Sequence, residues 1–201
     1  QSPTDALEDP EDWPAAFFVQ ELAVAMAGAD AESAVPLSDQ VLKTLSQPEQ
    51  RRQILASVVR SYLMARKTEP AQRSFDELER LIPPDRRSEE INHDLSFLRA
   101  AIAAGENRAL PAVAELESIV ALSPSDLPSW KLLATALSRA GQSRRAVRAW
   151  RECIRLEPNN PDVFIQFMRE HARYSNWDGM LAAADSLPAS AAANPESALL
   201  V

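Results

Sequence analysis

The apolar residues between 127 and 161 recur with the period of an amphipathic α-helix. In the first half they stand at i, i+3, i+4 and i+7, on one helical face. These residues are Trp130, Leu133, Ala134 and Leu137. A second face follows in Ala146, Val147, Trp150, Cys153 and Ile154. Gly141 separates the two faces, since glycine adopts the left-handed conformation that ends a helix, and Pro158 ends the second one. The pattern predicts a helical hairpin.

The same arrangement recurs along the chain in one register. Moving toward the N-terminus by a single fixed step carries Ala146, Trp150, Cys153 and Pro158 to Ala112, Leu116, Ile119 and Pro124. The next step reaches Ala71, Phe75, Leu78 and Pro83, and it is longer by seven positions, so that one repeat contains an insertion. A single hairpin buries too little apolar surface to stay folded, and its neighbours must stack on it. The spacing therefore predicts an array of helical hairpins.

This order of residues resembles the tetratricopeptide repeat, a helix pair of about 34 residues. The positions that mark that family are held here by Trp130, Leu133, Ala134, Leu137, Gly141, Ala146, Trp150, Cys153 and Pro158. The resemblance implies an all-α fold, a right-handed superhelical solenoid of stacked antiparallel helix pairs. It also implies a concave groove, lined by the first helices of successive pairs, that binds a partner protein or peptide.

The register divides the chain into seven segments. We expect an acidic flexible lead-in at 1–12, a degenerate first hairpin at 13–50, a repeat at 51–85, a repeat with an insertion at 86–126, the best-matching repeat at 127–160, another repeat at 161–194, and the start of a truncated helix at 195–201. Pro36 falls either in the first turn of its helix or at a kink. Arg99 is assigned the small-residue position of its repeat. Because the chain begins at Gln1 and stops early in a helix, we expect that further repeats follow Val201.

Composition restricts the class of protein. No run of 18 apolar residues occurs, so no membrane span is predicted. The single cysteine excludes an internal disulfide and a multi-cysteine metal site. The net charge of −8 is uneven, because residues 1–12 carry −5 whereas residues 127–173 carry +5. A bacterial cytoplasm and a periplasm are both compatible with this composition.

No set of residues predicts catalysis. The sequence contains no phosphate-binding glycine loop, no His-Glu-x-x-His and no Gly-x-Ser-x-Gly. Cys153 and His171 both occupy packing positions of the repeat. We therefore expect a protein that is not an enzyme and has no cofactor, no metal and no catalytic residue.

A binding surface is the stronger candidate. In the first helix of the best-matching repeat, positions off the packing face are Lys131, Thr135 and Arg139, and one repeat later the equivalent positions are Ile165, Arg169 and Arg173. Arg60 occupies a comparable place earlier in the chain. Guanidinium groups bind carboxylates bidentately, so this groove suits an acidic peptide. The alternative is that these arginines only make a helix face soluble.

Two functions remain open. The first is a non-catalytic protein–protein interaction scaffold with a partly basic groove. The second is a regulatory or substrate-docking region of a larger enzyme. Nucleic acid is not expected as a partner, because exposed aromatic residues are not interleaved with the basic ones. Self-association is possible, since the end of a helical array exposes apolar surface.

Overall fold

The computed structural model describes residues 15–173 and residue 179 of the chain, and predictions for 1–12, for the second helix of 161–194 and for 195–201 lie outside them. The described residues form helices and no strand, which confirms the predicted all-α class. The α-helices are α1 Ala15–Ala27, α2 Ala31–Thr44, α3 Pro48–Met64, α4 Thr68–Leu81, α5 Glu89–Gly105, α6 Ala109–Leu122, α7 Leu127–Arg139, α8 Ser143–Leu156 and α9 Pro161–Arg173. A short 3₁₀ turn, Pro84–Arg86, precedes α5.

The chain forms two compact units, Gln1–Leu98 and Arg99–Val201, whose boundary lies within α5. In the first unit α1 packs on α2, α2 on α3, and α3 on α4. In the second unit α6 packs on α7, α7 on α8, and α8 on α9. Helices that follow each other in sequence therefore contact each other within each unit. The division into individual repeats stays a prediction.

Four hairpin turns of identical length connect α1 to α2, α3 to α4, α5 to α6, and α7 to α8. Each turn has three residues, and the middle one has a positive φ. These middle residues are Ala29, Arg66, Asn107 and Gly141, with φ of 52°, 57°, 61° and 72°. The next N–H donates to the carbonyl five residues earlier in every turn, at 2.8–2.9 Å. This hydrogen bond is the signature of a Schellman motif.

The spacing of the turns agrees with the register found in the sequence. The step from Asn107 to Gly141 equals the step from Leu116 on α6 to Trp150 on α8. The step from Arg66 to Asn107 likewise equals the step from α4 to α6. Ile154, which was predicted on the apolar face of α8, is only half-buried. The residues that define the register on these second helices are buried: Ala71, Phe75, Leu78, Ala112, Leu116, Ile119, Ala146, Trp150 and Cys153. One register therefore positions both the turns and the core.

The first hairpin follows the same register but has a polar residue in its core. Ala34, Ser38 and Val41 on α2 are each fully buried, and Ser38 stands where α4 has Phe75. The Ser38 hydroxyl lies 2.5 Å from that of Ser61 on α3, which is also fully buried. Sequence periodicity missed this position because it counts only apolar residues. One hydroxyl donates to the other, and a carbonyl of the same helix, Ala34 for Ser38 or Val58 for Ser61, accepts the remaining proton, so that both buried hydroxyls have partners.

The structure decides two details of the sequence predictions. Pro36 is the sixth residue of α2 and lies inside the helix, which excludes the first of its two predicted places, the first turn. The Asp30 carboxylate begins this helix by accepting hydrogen bonds from the N–H groups of Glu32 and Ser33. The small-residue position of α5 belongs to the buried Ala100 and not to Arg99, which is exposed and pairs with Glu115 at 2.8 Å.

Arg51 on α3 connects three helices of the first unit. Its guanidinium donates to both carboxylate oxygens of Glu77 on α4. It also donates to the carbonyls of Leu42 and Leu45 at the end of α2, at 2.6 and 2.9 Å. Helix ends leave carbonyl groups without a partner in their own helix, and Arg51 supplies that partner here. The hydrogen bond from Arg51 lowers the pKa of Glu77.

The left-handed turns predict opposite effects for two small substitutions. Ala29→Gly removes the steric strain of a positive φ and is expected to raise the free energy of unfolding by about 0.5–1 kcal/mol. Gly141→Ala is expected to lower the free energy of unfolding by about 1 kcal/mol, because an alanine in the left-handed conformation strains the backbone. A methyl group at Gly141 meets no atom within 4 Å. Urea denaturation of both variants checks this, and changes of the same sign contradict it.

The Arg51–Glu77 pair predicts a pH-dependent contribution to stability. The pKa of Glu77 is lower in the folded chain than in the unfolded chain, so the contribution is present above the unfolded value of about 4.3. It is lost as the pH falls through the folded value. Glu77→Gln is therefore expected to destabilise the chain by about 1–3 kcal/mol at pH 7, and by less as the pH approaches 3.

Urea denaturation of wild type and Glu77→Gln across that pH range measures this difference. Glu49→Gln, at an exposed position on α3, is the control and is expected to change stability by only a few tenths of a kcal/mol. A loss in Glu77→Gln that stays constant down to pH 3 shows that the charge of Glu77 is not what stabilises the chain.

Candidate functional site

A cleft of about 150 Å³ lies between α7, α8 and α9 in the second compact unit. The described residues that line it are Thr135, Ser138, Arg139, Trp150, Gln166, Arg169, Glu170 and Arg173. The α7 residues stand at i, i+3 and i+4 and the α9 residues at i, i+3, i+4 and i+7, which puts them on one face of each helix. The cleft brings together four of the residues predicted to bind a partner: Thr135, Arg139, Arg169 and Arg173.

Three guanidinium groups give the cleft its positive charge. Arg139 is exposed, and its Nη1 donates to the carbonyl of Ala104 at the end of α5, 2.8 Å away. Arg173 is also exposed and donates from α9 to the hydroxyl of Ser138 on α7. Arg169 is exposed on α9 between them in sequence. Hydrogen bonds thus hold two of the guanidinium groups at the cleft.

Among the described residues that line this cleft, Glu170 is the acidic one, and it is 4% exposed. Its Oε2 lies 3.9 Å from Nη1 of Arg173. Its Oε1 is buried and accepts no hydrogen bond from the residues that the structure describes. Sequence analysis did not select Glu170. The only signal was its position, one residue after Arg169 and three before Arg173.

Three of the predicted residues are not in the cleft lining, and two of these, Ile165 and Lys131, belong to the same unit as the cleft. Ile165 is 2% exposed and belongs to the core, so the prediction that it faces a partner is wrong. The reason is that α9 buries adjacent positions from Val163 to Ile165, which requires contacts on more than one side. Lys131 pairs with Glu157 at the end of α8, at 3.3 Å, and also lies outside the cleft lining.

Arg60 belongs to the other compact unit and has a local partner there. Its Nη2 lies 3.7 Å from Oδ1 of Asp94.

Thr135 lines the cleft, but its hydroxyl donates to the carbonyl of Lys131 in its own helix, at 2.9 Å. The basic part of the site therefore consists of Arg139, Arg169 and Arg173.

The two candidates for chemistry are packing residues. Cys153 is fully buried, and burial raises the pKa of its thiol to about 12, so that the reactive thiolate does not form near neutral pH. His171 is 2% exposed and packs edge-to-face on Phe167, and burial lowers its pKa. Among the described residues, no group of three or more His, Cys, Asp or Glu is placed to hold a metal ion.

The five arginines of α8 are not among the described residues of the cleft lining, and three of them contact other residues of the second unit. Arg145 pairs with Glu117, and Arg155 pairs with Glu152. Arg151 lies over the ring of Phe167, 6.0 Å from its centroid.

No helix in the described part of the chain has the length and apolar character needed to cross a membrane.

Comparisons with known proteins bear on family and fold. The model of a family described as the bacterial transcriptional activator domain matches residues 69–157, which are fewer than half of the chain. A comparison with curated protein sequences gives no match.

Solved structures similar to this chain share its helical architecture. PilW, described as a widely conserved type IV pilus biogenesis factor, has a TM-score of 0.69 at 17% identity, covering 96% of this chain and 84% of its own. YrrB, described as a TPR protein with an unusual peptide-binding site, has a TM-score of 0.59 at 16% identity, covering 99% and 97%.

MamA from Desulfovibrio magneticus RS-1, from residue 41 to its end, has a TM-score of 0.56 at 16% identity, covering 90% of this chain and 93% of its own. Identities this low bear on the fold alone. Together with the four repeated turns and the shared packing register, these likenesses show that the chain has the tetratricopeptide-repeat fold.

Proposed function

We propose that this chain is a non-catalytic scaffold that binds an acidic segment of a partner protein in the cleft between α7 and α9. The observation that carries this proposal is the convergence of Arg139, Arg169 and Arg173 on one cleft of about 150 Å³. Guanidinium groups form two parallel hydrogen bonds with a carboxylate, which gives both affinity and orientation. YrrB, a neighbour in fold, is described as having a peptide-binding site, and this supports a peptide ligand.

A protein partner fits the charge distribution better than a nucleic acid does. Nucleic-acid binding without sequence preference requires a basic surface that follows the backbone, with aromatic side chains for the bases. Three of the five arginines of α8 instead contact Glu117, Glu152 and Phe167 within the same unit. We therefore propose that the positive charge of residues 127–173 acts locally, at the cleft.

A second candidate function rests on the family match at residues 69–157. This likeness supports a role as an interaction region of a bacterial transcriptional activator. The coding sequence that surrounds these 201 residues distinguishes the candidates. A DNA-binding domain in the same reading frame supports the activator, whereas a catalytic domain supports a docking region of a larger enzyme.

The cleft proposal predicts that reversing the charge of two arginines abolishes capture of the partner. The variant R169E/R173E is expected to lose a protein that the wild-type chain captures from source-cell extract, because carboxylates then repel carboxylates. Arg139 is left unchanged, since it bonds to the end of α5. Mass spectrometry identifies the partner, and calorimetry on the purified pair measures the loss.

The matched control is R144E/R148E, which makes the same change in net charge at exposed positions of α8 outside the cleft lining. This variant is expected to capture the partner as the wild type does, and circular dichroism checks that both variants stay helical. A partner that R169E/R173E still captures, or that both variants lose equally, contradicts the cleft proposal.

A further inference from the structure

Glu170 is in an unfavourable environment for a carboxylate. It is 4% exposed, and its contact with Arg173 is 3.9 Å, which is longer than a hydrogen bond. Buried polar atoms in folded proteins almost always have a hydrogen-bond partner, and an unsatisfied one is destabilising. The Oε1 atom of Glu170 accepts no hydrogen bond within the described part of the chain, although Glu170 lines the cleft.

The ligand that satisfies this cleft must therefore provide two features. It needs an acceptor with negative charge for the arginines, and a hydrogen-bond donor for Glu170. The donor is neutral, because the described lining has three guanidinium groups against one carboxylate, and this positive balance repels an ammonium group. A phosphate dianion has the charge but no donor. An acidic residue in an extended peptide has both, since its side chain supplies the carboxylate and its backbone an unpaired N–H.

We propose that Glu170 selects an extended acidic peptide segment by accepting a hydrogen bond from a backbone N–H next to the acidic residue. This inference rests on the proposed function and specifies its ligand. The Glu170 Oε1 is closed off from solvent, so a neighbouring side chain moves when the segment binds. Arg173 is the candidate for this movement, since its side chain is 61% exposed and it reaches across the cleft to Ser138.

The experiment uses the full chain and a library of hexapeptides that are acetylated and amidated, which removes their terminal charges. One position is fixed as Asp or Glu and the others vary. The tightest-binding peptide is then N-methylated at each amide in turn, and a second version replaces its acidic residue with the matching amide. Methylation of one amide beside the acidic residue is expected to weaken binding by about tenfold or more, as for a lost hydrogen bond to a charged group.

The variant Glu170→Met, which has a side chain of similar length and no carboxylate, identifies the acceptor. It is expected to bind the methylated and unmethylated peptides with equal affinity. Its melting temperature is expected to equal or exceed that of the wild type, because an unsatisfied buried carboxylate is removed. Glu117→Met makes the same chemical change at an exposed position of α6 outside the cleft lining, so it is the control and is expected to keep the full tenfold difference.

The outcomes separate this inference from the function on which it rests. If the methylation penalty persists in Glu170→Met, or is absent in the wild type, Glu170 does not accept the N–H and the inference is overturned. If the amide version of the peptide binds as tightly as the acidic one, the basic cleft itself is not the site. A library without any binder overturns both.

Discussion

The left-handed residue in each hairpin turn is the constraint on which the rest of this structure depends. A chain that reverses direction in three residues must end one helix and begin the next without leaving carbonyl groups unpaired. The hydrogen bond across each turn, at 2.8–2.9 Å, meets this condition only when the middle residue has a positive φ. Because each turn has the same geometry, the packing residues of every second helix fall at a fixed distance from it. Glycine occupies the position only at Gly141, so the other three hairpins accept strain to keep the same turn.

The sequence predicted the helices well where apolar residues recur with the helical period. The repeat spacing counted back from Ala146 predicted correctly that Ala112 and Ala71 are buried. Larger side chains do not fit at such positions, because the helices approach each other closely there. The prediction of core residues failed where a polar residue is buried beside a polar partner from another helix. Ser38 pairs with Ser61, 23 residues away, and no local pattern encodes such a contact. The left-handed conformation of Arg66 could not be predicted from the sequence either, because arginine rarely adopts a positive φ.

The candidate site was predictable in part, and the residues show why. Adding one repeat to Arg139 gave Arg173, and both line the same cleft because α7 and α9 present equivalent positions to it. The same step from Lys131 gave Ile165, which is buried. Residues one repeat apart occupy equivalent positions on their helices. One helix can nevertheless bury a wider face than the other, so that an exposed residue of one repeat is equivalent to a buried residue of the next. Glu170 was missed because charge patterns in a sequence suggest exposure, whereas its burial depends on packing around α9.

Arginines of this chain serve two purposes, and their surroundings distinguish them. Arg51 has a carboxylate and two carbonyls around its guanidinium and a side chain that is 20% exposed, so its three nitrogens are all committed to holding helices together. Arg173 has a side chain that is 61% exposed, and it lines a cleft with a buried carboxylate oxygen that accepts no hydrogen bond from the residues the structure describes. A chain under selection for stability alone gains by replacing Glu170 with an apolar residue, since an unsatisfied carboxylate weakens the folded state. Its presence beside three guanidinium groups is therefore better explained by a ligand that supplies both an anion and a donor than by packing.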